Sequence, residues 1–142
     1  MSPRPSKATY FLDIAEAVSK RATCPRLSVG AVFVGQSGNI LTTGYNGAPR
    51  NMGHCLDVGC EIVHNHCKRA LHAERNGIIW AAREGISLVG SILYLTHEPC
   101  ADCVLHIHQA GVQSVLYRHE YYNELATRFA MEAGLMVWKE NQ

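Results

Sequence analysis

Two short segments of this chain hold residue types that can do chemistry together: His72-Ala73-Glu74 and Pro99-Cys100-Ala101-Asp102-Cys103. One imidazole and two thiols make three ligands for a zinc ion, and a three-ligand site leaves a fourth position for water. Cys100 and Cys103 stand one helical turn apart, so both sulfurs can face one ion. Each segment opens a predicted helix, whose N-terminal partial charge and unpaired N–H groups favour thiolate over thiol. Glu74 lies two residues from His72, so it points elsewhere and is placed to handle protons beside the metal. Charge balance gives the reason for a carboxylate. Zinc with two thiolates and a neutral imidazole carries no net charge, and should acidify water less than a tri-histidine site does. A carboxylate that accepts the water proton supplies the difference, and the same group can then return protons to a ring nitrogen and a leaving amine.

A second crowd of ligand types occupies residues 54–67: His54, Cys55, Cys60, His64, His66 and Cys67, with Cys24 standing alone upstream. Free cysteines often pack as small hydrophobes, but this spacing favours metal. Residues 47–70 show no clear period, and a loop of that length needs a function or an internal clamp. A closed zinc site would provide the clamp, because metal-binding energy becomes folding energy when the site forms only on folding. Cys24, Cys55, Cys60 and Cys67 are the preferred ligands, with His66 or His54 as alternates.

The elements that must position these groups alternate along the chain. A helix spans 5–22, and strands at 29–34 and 40–44 form a hairpin across Gln36-Ser37-Gly38-Asn39. Helices follow at 72–84, 100–110 and 123–133, each stopped by a glycine: Gly85, Gly111 and Gly134. Strands at 91–96, 112–118 and 135–138 separate or follow them. Alternating strands and helices after a hairpin imply an α/β fold with a mixed, helix-covered sheet. At 142 residues and 47% hydrophobic content the chain reads as one domain over 1–142. A formal net charge of +1 offers no field for a polyanion, so nucleic acid is not an expected partner. The apolar run Ile78 to Ala82 is far short of the ~20 residues of a membrane helix, and MSPRPSKATY has no signal-peptide core. A cytosolic protein without membrane contact is expected.

Each half of the pair is ordinary alone, since a C-x-x-C can be redox-active and Glu74 could be a simple first-turn helix acid. Together they form H-x-E…P-C-x-x-C, the signature of zinc nucleobase deaminases. With Val29-Gly30-Ala31-Val32, Gly44-Tyr45-Asn46-Gly47 and His72-Ala73-Glu74-Arg75-Asn76, the chain resembles the cytidine/deoxycytidylate deaminase superfamily along essentially its whole length. It is most similar to the deoxycytidylate (dCMP) deaminases of bacterial and phage type. The resemblance implies a five-stranded mixed sheet with helices on both faces, a homohexamer, and hydrolysis of dCMP to dUMP for thymidylate supply. It assigns the catalytic zinc to His72, Cys100 and Cys103 and proton transfer to Glu74. It further implies dCTP as activator with Mg²⁺ and dTTP as inhibitor, through Gly44, Tyr45 and Gly47, and it gives precedent for a second zinc.

The resemblance also implies substrate contacts at Asn46, for the sugar, and at Ala73 and Tyr122, the latter matching a tyrosine near the nucleotide phosphate. Arg26, Arg50 and Arg118 are candidates for anion contact, because a guanidinium fits phosphate. Other readings are a deaminase of cytidine, guanine or another small base, a structural zinc module, and a thiol redox protein.

Overall fold

A computed structural model describes residues 3–141, so Met1 and Ser2 of the signal-peptide reading lie outside the described residues. The chain runs α1 (Lys7–Ser19), β1 (Gly30–Val34), β2 (Ile40–Tyr45), a single-turn α2 (Cys55–Val58), β3 (Ile62–Val63), β4 (His66–Cys67) and α3 (Ala73–Glu84). It continues through β5 (Ile92–His97), α4 (Ala101–Gln109), β6 (Ser114–His119), α5 (Glu124–Ala133) and β7 (Met136–Lys139). Local chemistry sets the ends. Ser6 caps α1 by accepting from the Thr9 N–H at 3.1 Å, and Asn123 caps α5 by accepting from the Ala126 N–H at 2.9 Å. Gly85 and Gly134 close α3 and α5 in the left-handed region, at φ 67° and 74°. The first helix stops at Ser19, three residues short of its expected end.

The five long strands form one sheet in the order β2-β1-β5-β6-β7, antiparallel around β1 and parallel from β5 onward. The mixed sheet is as expected. Side chains alternate between two cores. Ala31, Phe33, Leu93 and Leu95 face a cluster completed by α3, α4 and α5. Val32, Val34 and Tyr94 face Phe11, Leu12 and Ala15 of α1. One face therefore carries one helix and the other three.

Gly44 explains how α3 comes so close to β2. A Cβ there would strike the Ala73 carbonyl oxygen and lie 2.5 Å from the Gly77 nitrogen, so no larger residue fits without moving backbone. Thr42 adds a hydrogen bond from its hydroxyl to the Gly77 carbonyl at 3.2 Å. The result is a helix start held rigidly against the sheet. Residues 47–70, which showed no period, are not a bare loop: α2 and the β3–β4 hairpin fall within them.

Candidate active site

His72 and Cys100 are the residues immediately before α3 and α4, both with extended backbones. At such positions Ser6 and Asn123 cap their helices, but neither His72 nor Cys100 makes a side-chain cap. Their ligand atoms are thus left for each other. The Cys100 and Cys103 sulfurs lie 3.5 and 3.3 Å from the His72 Nδ1. Tetrahedral zinc, with bonds of about 2.0–2.3 Å, spaces such ligands roughly 3.5 Å apart. The three ligand atoms lie within 4.8 Å of one another, and the donor set fits zinc.

Electrostatics supports that fit. The Cys100 thiol is held down to about 3, first by its hydrogen bond with Cys103 and, against burial, by His72. Cys103 is driven up by sharing that bond and by burial. His72 is raised, chiefly by its hydrogen bond with Cys100. Closely packed donors that hold protons between them are the arrangement a cation can replace.

Glu74, the second residue of α3, is only 4% exposed and lies against Cys103. Burial is the main cause that raises its proton affinity above the ordinary carboxylate range. A buried carboxyl beside a metal-ligand set, with no salt-bridge partner among the described residues, is suited to proton exchange. Two contacts not anticipated from sequence brace this corner. Asn76 donates from Nδ2 to the Tyr45 carbonyl at 2.7 Å, fixing α3 to the end of β2. Arg75 reaches Asp102 at 3.5 Å, linking α3 to α4. Asn76 belongs to the His72–Asn76 motif, but nothing local in the sequence tells what it binds.

The other expected site residues divide. Asn46 is 8% exposed. Its Oδ1 accepts from the Val29 N–H at 2.8 Å and its Nδ2 donates to the Leu27 carbonyl at 2.6 Å. Its first structural work is to pin the segment before β1. Ala73 is fully buried beneath Gly44. Gly47 exchanges backbone hydrogen bonds with Leu71, next to His72. Tyr122 is 76% exposed, in the loop between β6 and α5. The Arg26 guanidinium donates to the Asn65 carbonyl at 3.4 Å, at the tip of the β3–β4 hairpin. Arg118 departs from expectation. It pairs with Glu140 at 2.8 Å and Asp13 at 3.0 Å, so its fork is engaged by carboxylates and is not held open for an anion.

Of the second ligand group, Cys55, Cys60 and Cys67 converge with sulfurs within 4.8 Å, and Cys55 and Cys67 stand 3.6 Å apart. Cys24 does not join that set, although its charge acts on Cys60. His66 and His54 stay outside it as well, and the buried His54 Nδ1 has no hydrogen-bond partner. Burial raises Cys55 to about 12; Cys67, despite burial, is brought to about 7 by backbone hydrogen bonds with Ala70, Arg69 and Glu61.

Residues 5–119 match the model of the cytidine and deoxycytidylate deaminase zinc-binding region. The chain is 40% identical over 129 residues to ComE operon protein 2 of Bacillus subtilis, covering 90% of this chain and 68% of that protein. It is 33% identical to the deoxycytidylate deaminase of Schizosaccharomyces pombe over 92% of its own length, but spans only 42% of that enzyme. The dCMP deaminase of cyanophage S-TIM5, crystallised in complex with dCMP and dUMP, superposes with a TM-score of 0.84 at 35% identity. That match covers 98% of this chain and 100% of the phage chain. Fold and site define an α/β, zinc-binding deaminase, a hydrolase. The chain belongs to the cytidine and deoxycytidylate deaminase family.

Proposed function

We propose that this deaminase hydrolyses dCMP to dUMP and ammonia. The observation that carries the reading is the buried Glu74 set against the His72, Cys100 and Cys103 ligand group. The likeness to a phage enzyme crystallised with dCMP and dUMP supports the choice of nucleotide. His72, Cys100 and Cys103 would hold the zinc, which when bound would supply Lewis-acid activation of water. Glu74 takes the proton that the attacking water gives up. It hands that proton to N3 of the cytosine ring, then takes the second water proton from the new C4 hydroxyl and gives it to the amino group, so that the C4–N bond breaks, the C4 carbonyl forms and nitrogen leaves as ammonia. Burial serves the first transfer, because a carboxyl of raised proton affinity is a better acceptor for the proton that water gives up.

Asn46, Ala73, Tyr122 and Arg26 are the proposed substrate contacts. With two of its hydrogen bonds already made to Leu27 and Val29, Asn46 keeps one lone pair and one N–H for a sugar hydroxyl. Regulation by dCTP with Mg²⁺ and by dTTP through Gly44, Tyr45 and Gly47, assembly as a homohexamer, and a cytoplasmic setting complete the proposal. Six free cysteines, some within contact distance, suit a reducing compartment. Among the described residues no helix is long and apolar enough to cross a membrane. The test is a panel of dCMP, CMP, deoxycytidine and guanine, each with and without dCTP and Mg²⁺. Fastest turnover is expected for dCMP, with a saturation curve that dCTP makes less sigmoidal and dTTP restores. Faster turnover of guanine or free deoxycytidine would move the substrate elsewhere in the family.

A second zinc at Cys55, Cys60 and Cys67 is proposed on the convergence of their sulfurs. Cys24 is the preferred fourth ligand, and His66 or His54 the alternate. Metal analysis of replete protein should give about two zincs per chain. Cys60→Ala should bring that toward one and lower Tm while dCMP turnover persists. A wild type holding one zinc, with Cys60→Ala equally stable, would leave these thiols as packing residues.

A further inference from the structure

Glu98 stands where β5 leaves the sheet, two residues before the zinc ligand Cys100. Its backbone N–H continues the ladder by donating to the His119 carbonyl at 3.0 Å. Its side chain then does something the ladder does not require. Oε1 accepts the Tyr121 N–H at 3.1 Å, in the loop that follows β6. That loop is anchored at its other points too: Lys139 reaches Glu120 at 3.3 Å, and Asn123 caps α5. Three of the four residues 120–123 thus have a tie to the rest of the chain, while Tyr121 and Tyr122 stay 57% and 76% exposed.

A tethered loop that presents exposed tyrosines is the arrangement of a binding loop on a fixed scaffold. The position agrees, since β5 and β6 run parallel and both end here, and ligands of open α/β sheets bind beyond the carboxyl ends of the strands. The connection to the catalytic corner is short and stiff. Pro99, fully buried, joins Glu98 to Cys100 and leaves little torsional freedom between them.

We propose that Glu98 is a positioning residue that holds the 120–123 loop in register with Cys100, so that the loop meets the sugar-phosphate end of the nucleotide while the base lies at Glu74. The inference rests on the dCMP reading above. A loop that is ordered before binding loses less freedom when the nucleotide arrives. Its loss should therefore weaken nucleotide binding and leave the chemical step alone.

The test compares wild type, Glu98→Ala and Glu98→Gln, all zinc-loaded, in KM and kcat for dCMP, in inhibition by dUMP, and in zinc content. Glu98→Ala should raise the KM and the dUMP inhibition constant together by roughly tenfold, the scale of one hydrogen bond to a charged acceptor. Its kcat and zinc content should hold. Glu98→Gln keeps an acceptor oxygen without the charge and should recover part of the loss. If Glu98→Ala does not fold, Glu98→Asp, one methylene too short, should show the same KM rise. An unchanged KM in active protein, a fall in kcat with loss of zinc, or a Gln variant as impaired as Ala would overturn this inference alone. Wild type that leaves dCMP intact would remove the substrate reading and this inference with it.

Discussion

Zinc-loaded Glu74→Ala should fold and keep its metal, yet deaminate dCMP roughly 10²–10⁴-fold more slowly than wild type. Both halves of that expectation come from where the carboxyl sits. It is not among the three converging ligand atoms, so its removal leaves the metal set complete. It is 4% exposed and lies beside Cys103, so solvent cannot readily take over its proton transfers. Truncating it also relieves a buried acid that makes no salt bridge among the described residues, and the variant's Tm should not fall much. A Glu74→Ala protein that stays nearly as fast as wild type would take Glu74 out of the reaction.

Cys103→Ser should behave differently, losing zinc and activity together. The Cys103 side chain is fully buried, inside the core that α4 packs against the sheet, and it also stands 3.3 Å from the His72 Nδ1. A serine hydroxyl is a poorer and harder ligand than a thiolate. Loss of groups that only support a ligand costs roughly 10–100-fold in metal affinity, so loss of the ligand itself should exceed that. Zinc content and rate, followed together over added metal, check it. The contrast between the two variants separates proton transfer from metal retention.

Much of this site was legible because its signals are local. His72 and Glu74, and Cys100 and Cys103, are close in sequence, and each pair opens a helix closed by a recognisable glycine or turn. The structure moves His72 and Cys100 only from the first helical position to the one before it. The mixed sheet was legible too, since the hairpin and the later alternation allow few topologies. What was not legible depends on distant partners or on weak turn chemistry. The β3–β4 hairpin turns through His64 and Asn65, both at positive φ, 50° and 66°. Without a glycine there, the sequence lacks the usual mark of such a turn. Arg118 could be read as an anion ligand because its carboxylate partners, Asp13 and Glu140, lie far away in the chain. Asn46 is the subtler case. Its amide ties down Leu27 and Val29, a duty visible only when the segment before β1 is seen beside it.

The central claim is that a buried glutamate next to a zinc ligand set converts dCMP to dUMP. The most direct measurement follows ammonia and dUMP released from dCMP by wild type and Glu74→Gln, each with its zinc content determined on the same sample. Equal amounts of both products from wild type are expected, with turnover nearly abolished in a Glu74→Gln protein of unchanged zinc content. Intact dCMP with zinc-replete wild type, or comparable turnover by both proteins, would contradict the claim.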